Sequence, residues 1–127
     1  MRALGRWFTR GGEAGEDLAC HYLEGQGLTI LARNFRCRSG EVDVVAREGP
    51  SVVFVEVKDR GHLGHGEGFD AVTFGKRRRV VRAARLWAAA HSLGEEARVR
   101  FDVVSIDRSA GEAHIRHDRD AFDADGL

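Results

Sequence analysis

Val52-Val53-Phe54-Val55-Glu56-Val57-Lys58 is the stretch on which the reading of this chain turns. Gly49-Pro50 punctuates its start, and β-branched and aromatic residues fill it, so it reads as a buried β-strand. Side chains alternate across a strand with period two. Val53, Val55 and Val57 therefore share one face, and Phe54, Glu56 and Lys58 share the other. A carboxylate and an ammonium on an otherwise apolar strand are expensive to bury without a partner or a use.

The neighbouring segments extend this reading. Glu41–Arg47 alternates as a second strand, with Val42, Val44 and Ala46 on one face and Glu41, Asp43, Val45 and Arg47 on the other. The tight turn Glu48-Gly49-Pro50-Ser51 makes the two strands an antiparallel hairpin. That pairing places Asp43 near Glu56, and Asp43, Glu56 and Lys58 are expected on one face at the sheet's edge. A cross-strand salt bridge between Lys58 and Asp43 is the plainer alternative. Leu28–Phe35 reads as a further strand, closed by the turn Arg36-Cys37-Arg38-Ser39-Gly40. Glu13 to about Gln26 reads as a helix ended by glycine, with Leu18, Ala19, Tyr22 and Leu23 as its apolar stripe. Glu16 falls at the margin of that stripe: either it leans toward the core, or it is a first-turn glutamate favoured by the helix dipole.

Beyond the central strand, 59–74 carries several glycines and is too long for a simple connector. His62 and His65 within it are spaced as metal ligands could be, but solvated loop histidines are the commoner case. Thr73 is a candidate N-cap for a helix reaching about Ser92, with Val80, Ala83, Ala84, Trp87 and His91 facing inward. Arg78, Arg82 and Arg85 form a row on its opposite face. Such a row is either a solvated face or a grip on a phosphate backbone. Val99–Ile106 is a fourth strand and Glu112–His117 an edge strand. The domain spans 13–117, between a basic arm (1–12) and an acidic tail (118–127) expected to fray apart from one turn around Phe122.

At 127 residues the chain has room for one domain. Its formal net charge is zero, but 76–100 carries +6 and 101–127 carries −4. The basic half points to an anionic partner such as nucleic acid, whereas the neutral total argues the other way. Three arginines in Met1–Arg10 are followed by no apolar run, so no secretory signal is expected. Cys20 and Cys37 do not make a disulfide framework, and a cytoplasmic protein with free thiols is the simplest reading.

Two carboxylates on adjacent strands suit a hard divalent cation. Mg²⁺ takes oxygen ligands and keeps several waters, so Asp43, Glu56 and a backbone carbonyl suffice, with Mn²⁺ as a substitute. Such a cation acidifies a bound water and neutralises phosphate charge. Lys58 would orient that water or stabilise developing charge, and Glu16 would complete the inner or outer coordination.

Asp43, Glu56 and Lys58 resemble the acid, acid and lysine of the PD-(D/E)xK nucleases, whose restriction-endonuclease-like fold has an αβββαβ core. A longer resemblance runs through Gly15-Glu16, Ala19, Tyr22-Leu23, Arg33-Asn34, Gly40-Glu41-Val42-Asp43, Phe54-Val55-Glu56-Val57-Lys58, Lys76 and Arg100-Phe101-Asp102. These residues look like the YraN-like family of predicted bacterial endonucleases, which is similar to archaeal Holliday-junction resolvases. The resemblance implies an α/β fold with a mixed central sheet flanked by helices, and cleavage of branched DNA with Mg²⁺. It also implies nucleic-acid binding, in which Lys76 and the arginine row would grip phosphates, and, through the similarity to the resolvases, a homodimer able to cut two strands. Asp59 departs from the small polar residue expected there, and could pair with Lys58 or Arg60. Two other readings remain open: a nucleic-acid-binding module that keeps the nuclease fold without turnover, and a structural protein in which Asp43, Glu56 and Lys58 form a buried ion network.

Overall fold

The computed structural model describes residues 11–59, 72–108 and 111–124. The basic arm up to Arg10, the segment 60–71 with His62 and His65, and the last three residues lie outside the described residues. The element order is α1 (Gly11–Gly25), β1 (Thr29–Cys37), β2 (Gly40–Glu48), β3 (Ser51–Asp59), α2 (Phe74–Ala90), β4 (Arg98–Asp107) and β5 (His114–Phe122). It is the αβββαβ order expected, followed by the expected edge strand, which runs over His114–Phe122 and so reaches further than His117. Among the described residues, no helix is long and apolar enough to cross a membrane.

The strands form one mixed sheet in the order β1-β2-β3-β4-β5. β1, β2 and β3 are antiparallel neighbours, β3 and β4 run parallel across the α2 connection, and β5 returns antiparallel. Alternation along the strands gives the sheet two apolar faces, and each helix covers one. Ala19, Cys20 and Leu23 of α1 pack on Val44, Ala46, Val53, Val55, Val104 and Ile106. Val80, Val81, Ala83, Ala84 and Trp87 of α2 pack on Val42, Val45, Val52, Phe54, Phe101 and Val103. α1 ends because Gly27 takes φ +98°, which lets Leu28 N–H close on the Leu23 carbonyl at 3.0 Å. α2 begins at Thr73, whose hydroxyl accepts the Lys76 N–H at 3.2 Å.

Three expectations are corrected here. β2 and β3 are interior strands, so Asp43 and Glu56 are not at a sheet edge. The acidic tail does not fray at Asp118: β5 continues to Phe122, whose ring is buried and stacks on Phe101 at 5.2 Å between centroids. Apolar burial of that ring outweighs the charges around it, which point away from the core. His91 is exposed and lies beyond the helix as its C-cap, with its ring stacked on Trp87 at 3.9 Å.

A fourth difference positions the site. Val42 faces α2 while Val44 faces α1, so the regular alternation along β2 breaks at Asp43. The β1–β2 ladder passes from Arg33↔Val44 to Phe35↔Val42 and skips Asn34 and Asp43. Asn34 sits at φ +54°, a conformation that asparagine tolerates better than most residues. The β2–β3 ladder also stops at Val44↔Val55. Asp43 therefore stands where β2 parts from β3.

Candidate metal centre and nucleic-acid face

At this fork the Asp43 side chain takes over from the backbone ladder. Its Oδ2 accepts the Val57 N–H at 2.8 Å, a donor that would otherwise be left without a β2 partner. Glu56 projects from β3 on the α2 side, and its carboxyl group comes within hydrogen-bonding reach of Asp43. The Val44↔Val55 register sets positions 43 and 56 side by side just beyond the end of the β2–β3 ladder. The Glu56 side chain is only 6% exposed, and its Oε2 receives the Lys76 ammonium at 3.1 Å.

Burial, then the charge of Asp43, pushes the Glu56 carboxyl up to about 7, although Lys76 pulls the other way. Burial also raises Asp43 against the hydrogen bonds from Val57 and Glu56. Two acids that disfavour their own charge, side by side at the end of a strand pair, are a site signature with a physical cause.

The rest of this fold shows what a structural ion network looks like. Asp102 on β4 is fully buried, yet it accepts Arg100 Nε at 2.8 Å, His117 Nε2 at 2.7 Å and the Asp120 N–H at 2.9 Å. Burial raises it, but those donors outweigh burial and bring it down to about 2. Arg100 and Arg119 both reach Glu48, at 2.8 and 2.6 Å. That network lowers its carboxyl groups, whereas the Asp43–Glu56 pair is raised. Sequence reading passed over it because Asp102 and His117 are 15 positions apart and meet only through β4–β5 pairing.

Glu16 does lean inward from α1, with a side chain 12% exposed. Its Oε1 accepts Asn34 Nδ2 at 2.8 Å, while Arg33 pairs with Asp17 at 2.6 Å. Burial raises Glu16, Asn34 opposes, and the Asp43 charge adds to the rise. Asp43 is thus felt by Glu16, but among the described residues no three His, Cys, Asp or Glu side chains group as a metal cage. Glu16 borders the pair from α1, with one carboxylate oxygen engaged by Asn34 of β1. Asn34 was missed as a positioning residue, although an asparagine inside a strand pattern is itself a signal for positive φ.

Lys58 is half-buried two residues beyond Glu56, opposite Ser105 of β4. Asp59 takes Arg108 at 3.1 Å, a partner contributed by the segment after β4. The lysine found on Glu56 is Lys76, from α2. That separates it from the arginine row. Arg78, Arg82 and Arg85 are exposed on the outer side of α2, while Lys76 lies on the side that carries Val80, Ala83 and Trp87. Arg78 also covers the exposed Phe74 ring at 5.9 Å. Arg77, next to the row, turns inward instead: its Nε donates to the Val72 carbonyl at 3.0 Å.

A family model described as "Uncharacterised protein family UPF0102" matches residues 15–106. The chain belongs to the UPF0102 family. A UPF0102 protein of Alkalilimnicola ehrlichii is 46% identical over 115 residues, covering 91% of this chain and 88% of its own. One of Syntrophotalea carbinolica is 43% identical over 98% of this chain and 94% of its own. One of Rhodococcus opacus is 50% identical over 87% and 94%. The UPF0102 match contains Glu16, Asp43, Glu56, Lys58, Lys76 and the arginine row, and ends before β5.

The donor chemistry fits a hard divalent cation. Asp43 and Glu56 offer oxygen atoms only, and their carboxyl groups are already adjacent.

Proposed function

We propose that this UPF0102 protein is a metal-dependent endonuclease that hydrolyses phosphodiester bonds in branched or damaged DNA, with Mg²⁺ or Mn²⁺ held by Asp43 and Glu56. The observation that carries this reading is geometric: the buried Glu56 carboxyl group lies beside Asp43, which Val57 N–H fixes at 2.8 Å where β2 parts from β3, and burial disfavours the charge of both acids. The αβββαβ order and the resemblance to PD-(D/E)xK nucleases support the same assignment.

Each residue then has a distinct task. Asp43 is anchored through Oδ2 to Val57 N–H, which fixes its carboxylate beside Glu56. Glu56 is buried along its length, so its carboxyl group is held rigidly beside Asp43. A divalent cation on this pair supplies a more acidic water and neutralises charge on the phosphate. Lys58 stabilises the charge that develops on the phosphoryl oxygens. Glu16 sets the local field and, through Asn34, ties α1 to the fork. Arg78, Arg82 and Arg85 bind phosphates without reading sequence. A homodimer would bring two such centres to two strands, and a cytoplasmic location belongs to the same reading.

The test is cleavage of labelled synthetic four-way junctions and linear duplexes with Mn²⁺ or Mg²⁺. Glu56→Gln is expected to abolish cleavage and to keep or improve DNA binding, since an amide preserves shape but not the charge that holds the cation. Binding without cleavage of any substrate, in parent and variant alike, would leave the nucleic-acid-binding module as the correct function.

A further inference from the structure

Lys76 reaches Glu56 from an unusual position. Its ammonium lies 3.1 Å from Glu56 Oε2, yet the side chain is 58% exposed, while Glu56 is 6% exposed. The head group therefore enters the acidic pair from the solvent side. Its backbone is fixed twice. Thr73 caps its N–H at 3.2 Å, and three residues on, the Arg79 backbone carbonyl presses against Gly40, where no Cβ fits. The helix start cannot drift, so the four-carbon stem is the part free to move. A divalent cation on Asp43 and Glu56 would bring like charge against the ammonium at a few ångströms.

We infer that Lys76 and a divalent cation are alternative counter-ions of Glu56, so that metal loading releases the Lys76 ammonium to a substrate phosphate. This rests on the metal-centre reading above. In the metal-free protein Lys76 compensates Glu56 and is withheld from DNA. With the cation in place, its tether keeps it within one side-chain length of the pair, where an incoming phosphate meets both charges. Metal and DNA then bind with positive coupling, and the coupling is reciprocal. Lys76 is in this sense a phosphate-binding residue of the centre, distinct from the arginine row on the outer side of α2.

The experiment compares the parent with Lys76→Met, Lys76→Arg and Glu56→Gln. Mn²⁺ affinity is measured by calorimetry at pH 8. Binding of a labelled synthetic four-way junction is measured against salt, in EDTA and in Ca²⁺. Lys76→Met is expected to bind Mn²⁺ at least about threefold more tightly than the parent, because the competing ammonium is gone, a gain of the size of one half-exposed ion pair. Lys76→Arg keeps the charge and should stay close to the parent. Adding Ca²⁺ should steepen the parent's salt slope by about one phosphate contact, and leave the Lys76→Met slope unchanged. If Lys76→Met binds Mn²⁺ no more tightly than the parent, or if Ca²⁺ still steepens its slope, the exchange is wrong while the metal centre stands. If the parent binds no Mn²⁺, or binds it equally well after Glu56→Gln, the metal-centre reading fails and the exchange fails with it.

Discussion

Replacing Glu56 by Gln should change how stability depends on pH more than it changes stability itself. In the folded protein burial, followed by the Asp43 charge, lifts the Glu56 carboxyl from an ordinary 4.5 to about 7. A raised carboxyl favours its protonated form when folded, so its contribution is fully present below 4.5 and is lost as pH rises through about 7. At about 1.4 kcal/mol per pH unit, the loss over that window is about 3 kcal/mol. The Gln variant has no such titration, and its amide can still donate to Asp43 as the protonated acid does. The assay is urea unfolding of both proteins at low salt in EDTA, from pH 4.5 to 8.5. The parent should lose about 3 kcal/mol relative to Glu56→Gln across that range, with most of the change between pH 5 and 7. Asp43, also raised by burial, makes both proteins lose stability in the same direction and so drops out of the difference. Asp102 does not interfere: its value is lowered to about 2, so its contribution is lost only as pH falls toward that value, in both proteins alike. Saturating Mn²⁺ should flatten the parent's curve, because the cation takes over from the proton. Curves that stay parallel within about 0.5 kcal/mol, or a variant that is worst at high pH, would refute the argument and favour a stabilising ion network.

Lys58→Ala should still bind Mn²⁺, since both carboxylates remain, while cleavage falls by about 100-fold, the scale of losing one electrostatic stabiliser; calorimetry and single-turnover cleavage measure the two effects separately. Removing Arg78, Arg82 and Arg85 together should flatten the salt slope of DNA binding by roughly one unit per lost contact and leave the melting temperature unchanged, because all three are exposed. An unchanged slope would make the row a solvated face. Asn34→Gly should keep the φ +54° backbone but lose the bond to Glu16, and Asn34→Ala should lose both; in thermal melts Ala should therefore be less stable than Gly, by about 1 kcal/mol.

Much of this protein was determined by its sequence alone. The runs around Val42–Ala46 and Val52–Val57 specify strands, because continuous short stretches of β-branched residues bounded by turn residues fit a sheet buried on both faces. The glycines after Leu23, the turn at Gly49-Pro50 and the capping hydroxyl of Thr73 mark boundaries, because those residues act on the backbone locally. Spacing along a hairpin also brought Asp43 toward Glu56. Only the tertiary structure decided the rest. No local rule shows that β2 parts from β3 at Asp43, because where pairing stops is decided by the register of three strands together. Lys76 had the local look of one more basic residue in an arginine-rich helix, and its bond to Glu56 spans 20 positions. Phe122 sat in what read as a charged tail, until β5 paired with β4 and laid its ring against Phe101. Whether a carboxyl group is raised, as at Glu56, or lowered, as at Asp102, follows from burial and from donors gathered across several strands. Those quantities exist only once the chain has closed on itself, since both depend on neighbours distant in sequence.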